Sequence, residues 1–292
     1  MSRNIPDSSK KLLQYIKESI TLDESEEELQ SLSYYIIEHL FSLDKNEIIL
    51  DRSINLSSSE LKELHKFLDR INDHEPIQYI IGEADFYDRK FVVNPSVLIP
   101  RPETEELVQL IISEYKGKKP KFADVGTGSG CIPVTLAKEL AGAKAYAIDF
   151  DPRVIRTAKQ NAERHGVQIN FMLIDVLRES FPLQSLDFVV SNPPYVTYAD
   201  RELMKANVTH YEPATALYVK DEDPLLFYRR IAEISAQSLK PEGKIYFEVN
   251  EKYADDVKSL LEVMDFDECQ ILRDLNGKDR IVHARFSNEA LT

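Results

Sequence analysis

The first 75 residues carry apolar side chains at helical spacing. Three runs repeat an apolar residue every three or four positions, with polar residues between them. Asp23 and Ser57 precede two of these runs, where a helix is expected to start. The pattern predicts a small helical domain over residues 1–75 that holds no catalytic constellation. Its apolar positions are Leu12, Leu13, Ile16 and Ile20; Leu29, Leu32, Tyr35, Ile36 and Leu40; and Leu61, Leu64, Phe67, Leu68 and Ile71.

Short extended segments follow the helical pattern. Between residues 83 and 100, apolar pairs and triplets are interrupted by Asp88-Arg89 and by Asn94-Pro95, which favour turns. This arrangement predicts a β-hairpin linker over residues 76–100. A helix is expected next, because Pro100 and Pro102 introduce three acidic residues whose charge suits a helix N-terminus.

Strands and helices alternate from residue 121 to the end of the chain, so residues 101–292 form a second domain. Alternation of this kind predicts an α/β fold with a largely parallel sheet covered on both faces. The turn Asn276-Gly277 joins the last two strands as an antiparallel hairpin, which makes the seven-stranded sheet mixed. The predicted strands lie near 121–125, 144–148, 168–173, 186–191, 243–249, 268–273 and 280–285, and the predicted helices near 130–141, 152–165, 223–238 and 251–263.

Composition narrows the class of protein. A length of 292 residues favours two domains, and 43% hydrophobic residues can fill ordinary cores. No apolar run approaches the roughly 20 residues that a membrane span needs, and the N-terminus lacks the apolar core of a signal peptide. The two cysteines, Cys131 and Cys269, favour a reducing compartment and offer no metal-ligand spacing. We therefore expect a cytoplasmic enzyme without a metal and without membrane contact.

A glycine-rich turn follows the first strand of the second domain. Residues 126–130 read Gly-Thr-Gly-Ser-Gly and lead directly into a helical pattern. The next predicted strand ends in Asp149, about 20 residues beyond the glycines, where nucleoside-binding α/β folds place an acid on the ribose hydroxyls. Asp151-Pro152 opens the following helix as a cap, which explains Asp151 and leaves Asp149 for a ligand.

The spacing of the glycines indicates which kind of ligand the turn would bind. It is G-x-G-x-G rather than G-x-G-x-x-G, so a ligand without a pyrophosphate is favoured. S-adenosylmethionine is such a ligand, and Asp124 could face its ammonium group while the helix N-terminus near Gly130 favours its carboxylate.

Asn192-Pro193-Pro194-Tyr195 ends another predicted strand in a stiff corner. Asn192 precedes a proline and is held away from helical geometry, so its carboxamide projects from the corner. The side-chain oxygen of Asn192 and the carbonyl of Pro193 could accept both hydrogens of a planar NH₂ group. Tyr195 would supply a flat face beside that group. A proline-rich turn that only closes a strand, with Tyr195 packed into the core, is the alternative interpretation.

Three features each follow a strand, at the edge where open α/β sheets bind ligands: the glycine turn, Asp149 and the Asn-Pro-Pro-Tyr motif. Together they favour a methyltransferase that acts on an amino or amide nitrogen. An oxidoreductase that uses a nicotinamide would leave Asn-Pro-Pro-Tyr unexplained, and such a sheet normally lacks the antiparallel last hairpin. A catalytically inactive binding module would have no need of intact motifs.

From about residue 75 onward the chain resembles the release factor glutamine methyltransferase family (HemK/PrmC). Besides the two motifs, the resemblance rests on Glu75-Pro76-Ile77-Gln78-Tyr79, on Ile99-Pro100-Arg101-Pro102-Glu103-Thr104-Glu105, and on Glu212-Pro213 and Lys278-Asp279-Arg280. The chain departs from the family at Asp223-Pro224-Leu225, where Asp-Gly-Leu is usual, and at Asn250 and Tyr253, where a Glu-(Ile/Val)-Gly-x-x-Gln run is usual. Both departures lie outside the cofactor loop and the catalytic corner.

The resemblance implies a Rossmann-like class I methyltransferase that transfers a methyl group from S-adenosylmethionine to N5 of the glutamine in the Gly-Gly-Gln loop of class 1 peptide-chain release factors. S-adenosylhomocysteine is then the product, the helical domain docks the protein substrate, and the segment around Arg101 borders the cofactor. The expected catalytic and substrate-binding residues are Asn192, Pro193, Pro194 and Tyr195, and the expected cofactor-binding residues are Gly126, Thr127, Gly128, Ser129, Gly130, Asp149, Asp175, Val176 and Asn192.

The same chemistry on another substrate stays open, because Asn-Pro-Pro-Tyr also occurs in enzymes that methylate adenine N6. The formal net charge of −14 and the absence of a long basic run favour a protein substrate over nucleic acid. A different protein glutamine is the remaining alternative.

Overall fold

The computed structural model of the protein describes residues 5–287, which divide into two compact units. The first unit contains the described residues up to Gly82 together with Ala206–Tyr211. The second contains Glu83–Lys205 and the described residues from Glu212 onward. Residues 76–82, which the sequence analysis assigns to the linker, lie in the first unit because they form a short helix, α5 below.

The helices are α1 (Ser9–Ser19), α2 (Glu26–Phe41), α3 (Lys45–Ile49), α4 (Ser58–Asn72), α5 (Ile77–Ile81), α6 (Pro102–Tyr115), α7 (Cys131–Glu139), α8 (Pro152–Arg164), α9 (Ala206–Tyr211), α10 (Ala214–Leu217), α11 (Leu226–Ser238) and α12 (Ala254–Val263). The strands are β1 (Glu83–Phe86), β2 (Arg89–Val92), β3 (Lys121–Val125), β4 (Lys144–Asp149), β5 (Ile169–Leu173), β6 (Leu186–Ser191), β7 (Val196–Thr197), β8 (Tyr218–Val219), β9 (Leu239–Glu248), β10 (Phe266–Arg273) and β11 (Asp279–Phe286). Short 3₁₀ helices cover Ala199–Leu203 and Glu251–Tyr253.

The first unit is helical, as its apolar spacing predicts. One hydrophobic cluster fills it, and Leu12, Ile36 and Leu64 at its centre are fully buried. Ser57 and Glu60 form a reciprocal capping box at the start of α4. Ser25, not Asp23, caps α2, because the Ser25 hydroxyl accepts the backbone N–H of Glu28.

A two-stranded hairpin opens the second unit. Strands β1 and β2 pair antiparallel, from Glu83 opposite Val92 to Phe86 opposite Arg89. Tyr87 and Asp88 form the turn, both with positive φ (50° and 56°), as a tight hairpin requires. The Glu105 side chain accepts the Tyr87 backbone N–H at 2.9 Å, so α6 supports this turn.

The seven-stranded sheet has the order β10-β11-β9-β6-β3-β4-β5. Strands β9, β6, β3, β4 and β5 are mutually parallel, and β11 runs antiparallel to both of its neighbours. The predicted mixed sheet with an antiparallel last hairpin is therefore confirmed. Successive strands extend to one side from β3 and to the other side from β6, so the topology reverses between these two strands. Ligands in open α/β sheets bind at the carboxyl ends of strands at such a point.

Two hydrophobic clusters flank the sheet, since its central strands are buried on both faces. Phe122 of β3 and Phe188 of β6 stack with ring centroids 4.7 Å apart, which ties the two strands at the reversal together. The sequence predicts no element between residues 192 and 222, where the structure has β7, α9, α10 and β8. Each of these has six residues or fewer, which is too short to show periodicity.

Within residues 5–287, no helix is long and apolar enough to cross a membrane. The same residues contain no group of His, Cys, Asp and Glu side chains arranged to hold a metal ion.

Candidate active site

The glycine turn connects β3 to α7 in a backbone conformation that side chains disfavour. Gly126, Gly128 and Gly130 have φ values of 74°, 54° and 80°. The backbone N–H groups of Gly126 and Thr127 donate to the Ile148 carbonyl at 2.9 and 3.1 Å, which attaches the turn to β4. Gly130 lies against α8, because a Cβ there would stand 3.1 Å from the Ala158 Cβ.

Asp149, at the end of β4, faces the glycine turn. Its carboxylate accepts the backbone N–H of Gly128 at 3.3 Å and that of Asp151 at 3.2 Å. Burial raises the pKa of Asp149 to about 6. Asp151 instead caps α8, accepting the Arg153 backbone N–H at 2.8 Å. The cap predicted for Asp151 is therefore present, and Asp149 stays a predicted ligand residue.

Asp124 lies under the turn and is fully buried. Neither of its carboxylate oxygens has a hydrogen-bond partner among the described residues. Burial raises the pKa of this carboxyl to about 7. The hydroxyls of Thr127 and Ser129 are also buried and unpartnered in the same part of the structure. A buried carboxyl without a partner is expensive, and it favours a cationic group nearby.

A cleft of about 1050 Å³, including the solvent at its mouth, opens at the carboxyl ends of β3, β4 and β6. The cleft lies entirely within the second unit. Except for Gly130, every residue predicted to bind the cofactor lines this cleft. These residues are Gly126, Thr127, Gly128, Ser129, Asp149, Asp175, Val176 and Asn192.

The Asn-Pro-Pro corner lines the same cleft from the end of β6. Ser191 donates its hydroxyl hydrogen to the Val125 carbonyl at 2.6 Å, which joins the ends of β6 and β3. Asn192, Pro193 and Pro194 border the cleft, and the Asn192 Nδ2 donates to the Thr104 Oγ1 at 3.2 Å. The structure thus brings the corner and the glycine turn together at the reversal point of the sheet.

Tyr195 differs from the other three residues of the Asn-Pro-Pro-Tyr motif. It is not one of the described residues that border the cleft, and its ring packs against the hydrophobic cluster on one face of the sheet. Its hydroxyl donates to the Glu248 Oε1 at 3.3 Å. Burial raises the pKa of Tyr195 far above its usual value. Its contacts therefore match the interpretation in which the tyrosine packs into the core, and they do not place the ring on a substrate.

Three polar residues of this site were not predicted as functional from the sequence. Thr104 of α6 borders the cleft, and Glu248 at the end of β9 lies behind it. Glu212 is buried and pairs with Arg101 at 2.5 Å while accepting the Ile99 backbone N–H at 3.2 Å. Thr104 and Glu212 fall within the segments that carry the family resemblance, which is the signal that could have identified them.

The seven-stranded sheet, the glycine turn after β3 and the Asn-Pro-Pro corner after β6 define a class I methyltransferase. Its fold resembles a methyltransferase from Pyrococcus furiosus, with a TM-score of 0.51, 15% identity, and coverage of 75% of this chain and 97% of that one. A family model described as the methyltransferase small domain matches residues 103–214, and one described as the PrmC N-terminal domain matches residues 11–82.

Relatives that match over most of their length identify the family within this class of methyltransferases. A release factor glutamine methyltransferase of Bacteroides thetaiotaomicron is 42% identical over 271 residues, which cover 92% of this chain and 97% of the relative. One from Flavobacterium psychrophilum is 39% identical and covers 89% and 93%. The chain belongs to the release factor glutamine methyltransferase family.

Proposed function

We propose that this protein transfers a methyl group from S-adenosylmethionine to the side-chain nitrogen of the glutamine in the Gly-Gly-Gln motif of class 1 peptide-chain release factors. The observation that carries the proposal is the position of Asn192, whose carboxamide borders the cleft next to the glycine turn. The names of the full-length relatives support the same substrate. The cytoplasmic location expected from the sequence is part of the proposal.

The cleft suits the cofactor in charge and shape. In this proposal Asp149 would accept the ribose hydroxyls, and Asp175 and Val176 would lie beside the adenine. The unpartnered carboxyl of Asp124 lies beneath the glycine turn, where a cationic ligand would stabilise its ionised form. When bound, the cofactor supplies a methyl group on a positively charged sulfur.

The chain's own residues must orient a weak nucleophile, because the lone pair of an amide nitrogen is delocalised. None of the described residues that border the cleft is His or Lys, so no strong base is positioned there. The Asn192 side-chain oxygen and the Pro193 carbonyl would accept the two amide hydrogens and fix the nitrogen. Holding two reactants in reacting geometry can contribute about 7–11 kcal/mol. Orientation is therefore the main source of rate enhancement in this proposal.

The helical first unit would dock the release factor. It holds no catalytic constellation, and the PrmC N-terminal domain model matches it. The net charge of −14 favours a protein over a phosphate backbone as the substrate. Methylation of adenine N6 in DNA, or of another protein glutamine, remains the alternative.

The test is to incubate the protein with labelled S-adenosylmethionine and, in separate reactions, a class 1 release factor or duplex DNA. We expect label only on the release factor, on the glutamine of its Gly-Gly-Gln motif by peptide mass spectrometry. Asn192→Ala should abolish this transfer while changing cofactor affinity by no more than a few-fold. Label on DNA, or on a different glutamine, would contradict the proposal.

A further inference from the structure

Behind the cleft, a chain of hydrogen bonds connects Asn192 to a buried carboxylate. Asn192 Nδ2 donates to Thr104 Oγ1 at 3.2 Å, and Thr104 Oγ1 donates to Glu248 Oε2 at 2.6 Å. Tyr195 donates to the other oxygen, Oε1, at 3.3 Å. Thr104 is 3% exposed and Glu248 is 1% exposed, so water does not compete for the bond between these two residues.

The donors and acceptors along this series of hydrogen bonds fix the orientation of the Asn192 carboxamide. Glu248 uses both of its oxygens as acceptors, which is the pattern of an ionised carboxylate. Thr104 has a single hydroxyl hydrogen and donates it to Glu248, so its oxygen can only accept from Asn192. Asn192 must then turn its NH₂ toward Thr104, which leaves its carbonyl oxygen free for the cleft.

Hydrogen-bond donors and a cation around Glu248 hold it in place and oppose the effect of burial on its charge. Burial raises the pKa of Glu248, whereas the Thr104 hydroxyl and the Arg280 guanidinium lower it. Arg280 is itself fixed by Asp274 at 3.2 Å and donates to the Val249 carbonyl at 3.3 Å. Tyr228 donates to the Glu248 backbone carbonyl at 3.2 Å, which secures the end of β9.

We infer that Thr104 and Glu248 are positioning residues that set the flip of the Asn192 carboxamide, so that it presents an acceptor rather than a donor to the substrate nitrogen. An inverted carboxamide would offer N–H groups to the N–H groups of the substrate and would repel it. The inference rests on the proposed function for its substrate, but the orientation of Asn192 can be measured without any substrate.

Three variants test the inference. Thr104→Val keeps the shape and removes the hydroxyl, and Thr104→Ser keeps the hydroxyl as the matched control. Glu248→Gln presents an NH₂ group that can donate to Thr104, whose hydroxyl is then free to donate to an inverted Asn192. We expect Thr104→Val and Glu248→Gln to lower kcat for release factor methylation by about tenfold to a hundredfold. Thr104→Ser should stay within about threefold of the wild type, and the Kd for S-adenosylmethionine should change little in all three.

A second readout does not need turnover. The side-chain hydrogen of Asn192 that bonds to Thr104, assigned in nitrogen-15 NMR spectra by comparison with Asn192→Ala, should be protected from exchange in the wild type and in Thr104→Ser. It should lose that protection in Thr104→Val. If Thr104→Val does not fold, as judged by circular dichroism, Glu248→Gln carries both measurements.

The outcomes separate the two proposals. A wild type that does not methylate release factors but shows the protected Asn192 hydrogen would refute the proposed function and leave the positioning role standing. Normal kcat in Thr104→Val and Glu248→Gln, or an Asn192 hydrogen that exchanges equally in all variants, would overturn the inference. A loss of kcat in Thr104→Ser as large as in Thr104→Val would also overturn it, because it would point to packing rather than to the hydroxyl.

Discussion

Asp124 shows how a single residue can lower the stability of the fold at a binding site. It is fully buried and lacks a hydrogen-bond partner within the described chain. Natural proteins rarely leave such a group unpaired unless it has a function. Its neighbour Asp149 is also buried with a raised pKa, so two carboxyls at this edge of the sheet resist ionisation. A cationic ligand would relieve both.

The free energy of unfolding should therefore depend on pH through Asp124. Its folded-state pKa of about 7 lies above the ordinary value of 3.8, so the folded protein keeps a proton that the unfolded chain releases. The stability from this proton is complete below about pH 4 and is lost as the pH rises through 7. Asp124→Asn cannot ionise, so its stability relative to the wild type should increase by roughly 4 kcal/mol between pH 4 and pH 8. Thermal unfolding without ligand measures this difference, and a difference that is constant with pH would contradict the expectation.

Asp149 should act on cofactor affinity rather than on chemistry. Its carboxylate already accepts two backbone N–H groups and borders the cleft. Asp149→Ala should weaken binding of S-adenosylmethionine, because ribose hydroxyls would lose their acceptor. In the wild type, affinity should also fall as the pH drops below about 6, where this carboxyl takes up a proton. Calorimetric titration at several pH values checks both, with Asp256→Ala, an exposed residue of α12 outside the cleft, as the control.

At the scale of elements, α8 joins parts of the second unit that are distant in sequence. Asn161 is fully buried on this helix. Its amide donates to the Val92 carbonyl at 2.9 Å and to the Ser129 carbonyl at 2.8 Å, and its oxygen accepts the Val92 N–H at 2.7 Å. One side chain therefore connects the hairpin strand β2 with the glycine turn.

Replacing Asn161 should disturb both elements together. Asn161→Ala removes the partner of three backbone groups, of which the Ser129 carbonyl is in a buried bond and the two Val92 groups are in part-buried ones. A buried group left unsatisfied costs about 1–3 kcal/mol. We expect a large fall in the melting temperature and weaker cofactor binding, since Ser129 belongs to the turn. Gln160→Ala, on the exposed face of the same helix, should change stability by less than about 0.5 kcal/mol. Similar melting temperatures for the two variants would show that these bonds contribute little.

The sequence predicts regular elements far better than it predicts the contacts between them. All seven sheet strands were predictable, because each shows an apolar run or an alternation of apolar and polar residues that ends near Gly, Asp or Asn. The bond from Thr104 to Glu248 was not, because 144 residues separate the two and only the strand order brings β9 beside β6. The position of Tyr195 was also not predictable, since the motif fixes its place in the chain but not the direction of its ring.

At the scale of the whole molecule, the two units do not correspond to two consecutive stretches of sequence. The apolar pattern indicates a boundary near residue 75, whereas the first unit extends to Gly82 and also takes in Ala206–Tyr211. In that unit, the Tyr211 hydroxyl donates to the Asp73 backbone carbonyl at 2.8 Å. Helix α9 has no buried residue of its own, so nothing in its sequence marks it as part of a distant unit.

This shared segment limits how the protein can be re-engineered or could have been assembled by gene fusion. A chimaera that takes only the leading helices from a relative would pair them with a foreign α9, whose tyrosine must still find an acceptor like Asp73. A functional graft should therefore transplant residues 206–211 along with the N-terminal helices. Substrate choice, if it resides in those helices, is then encoded in two separate places of the gene.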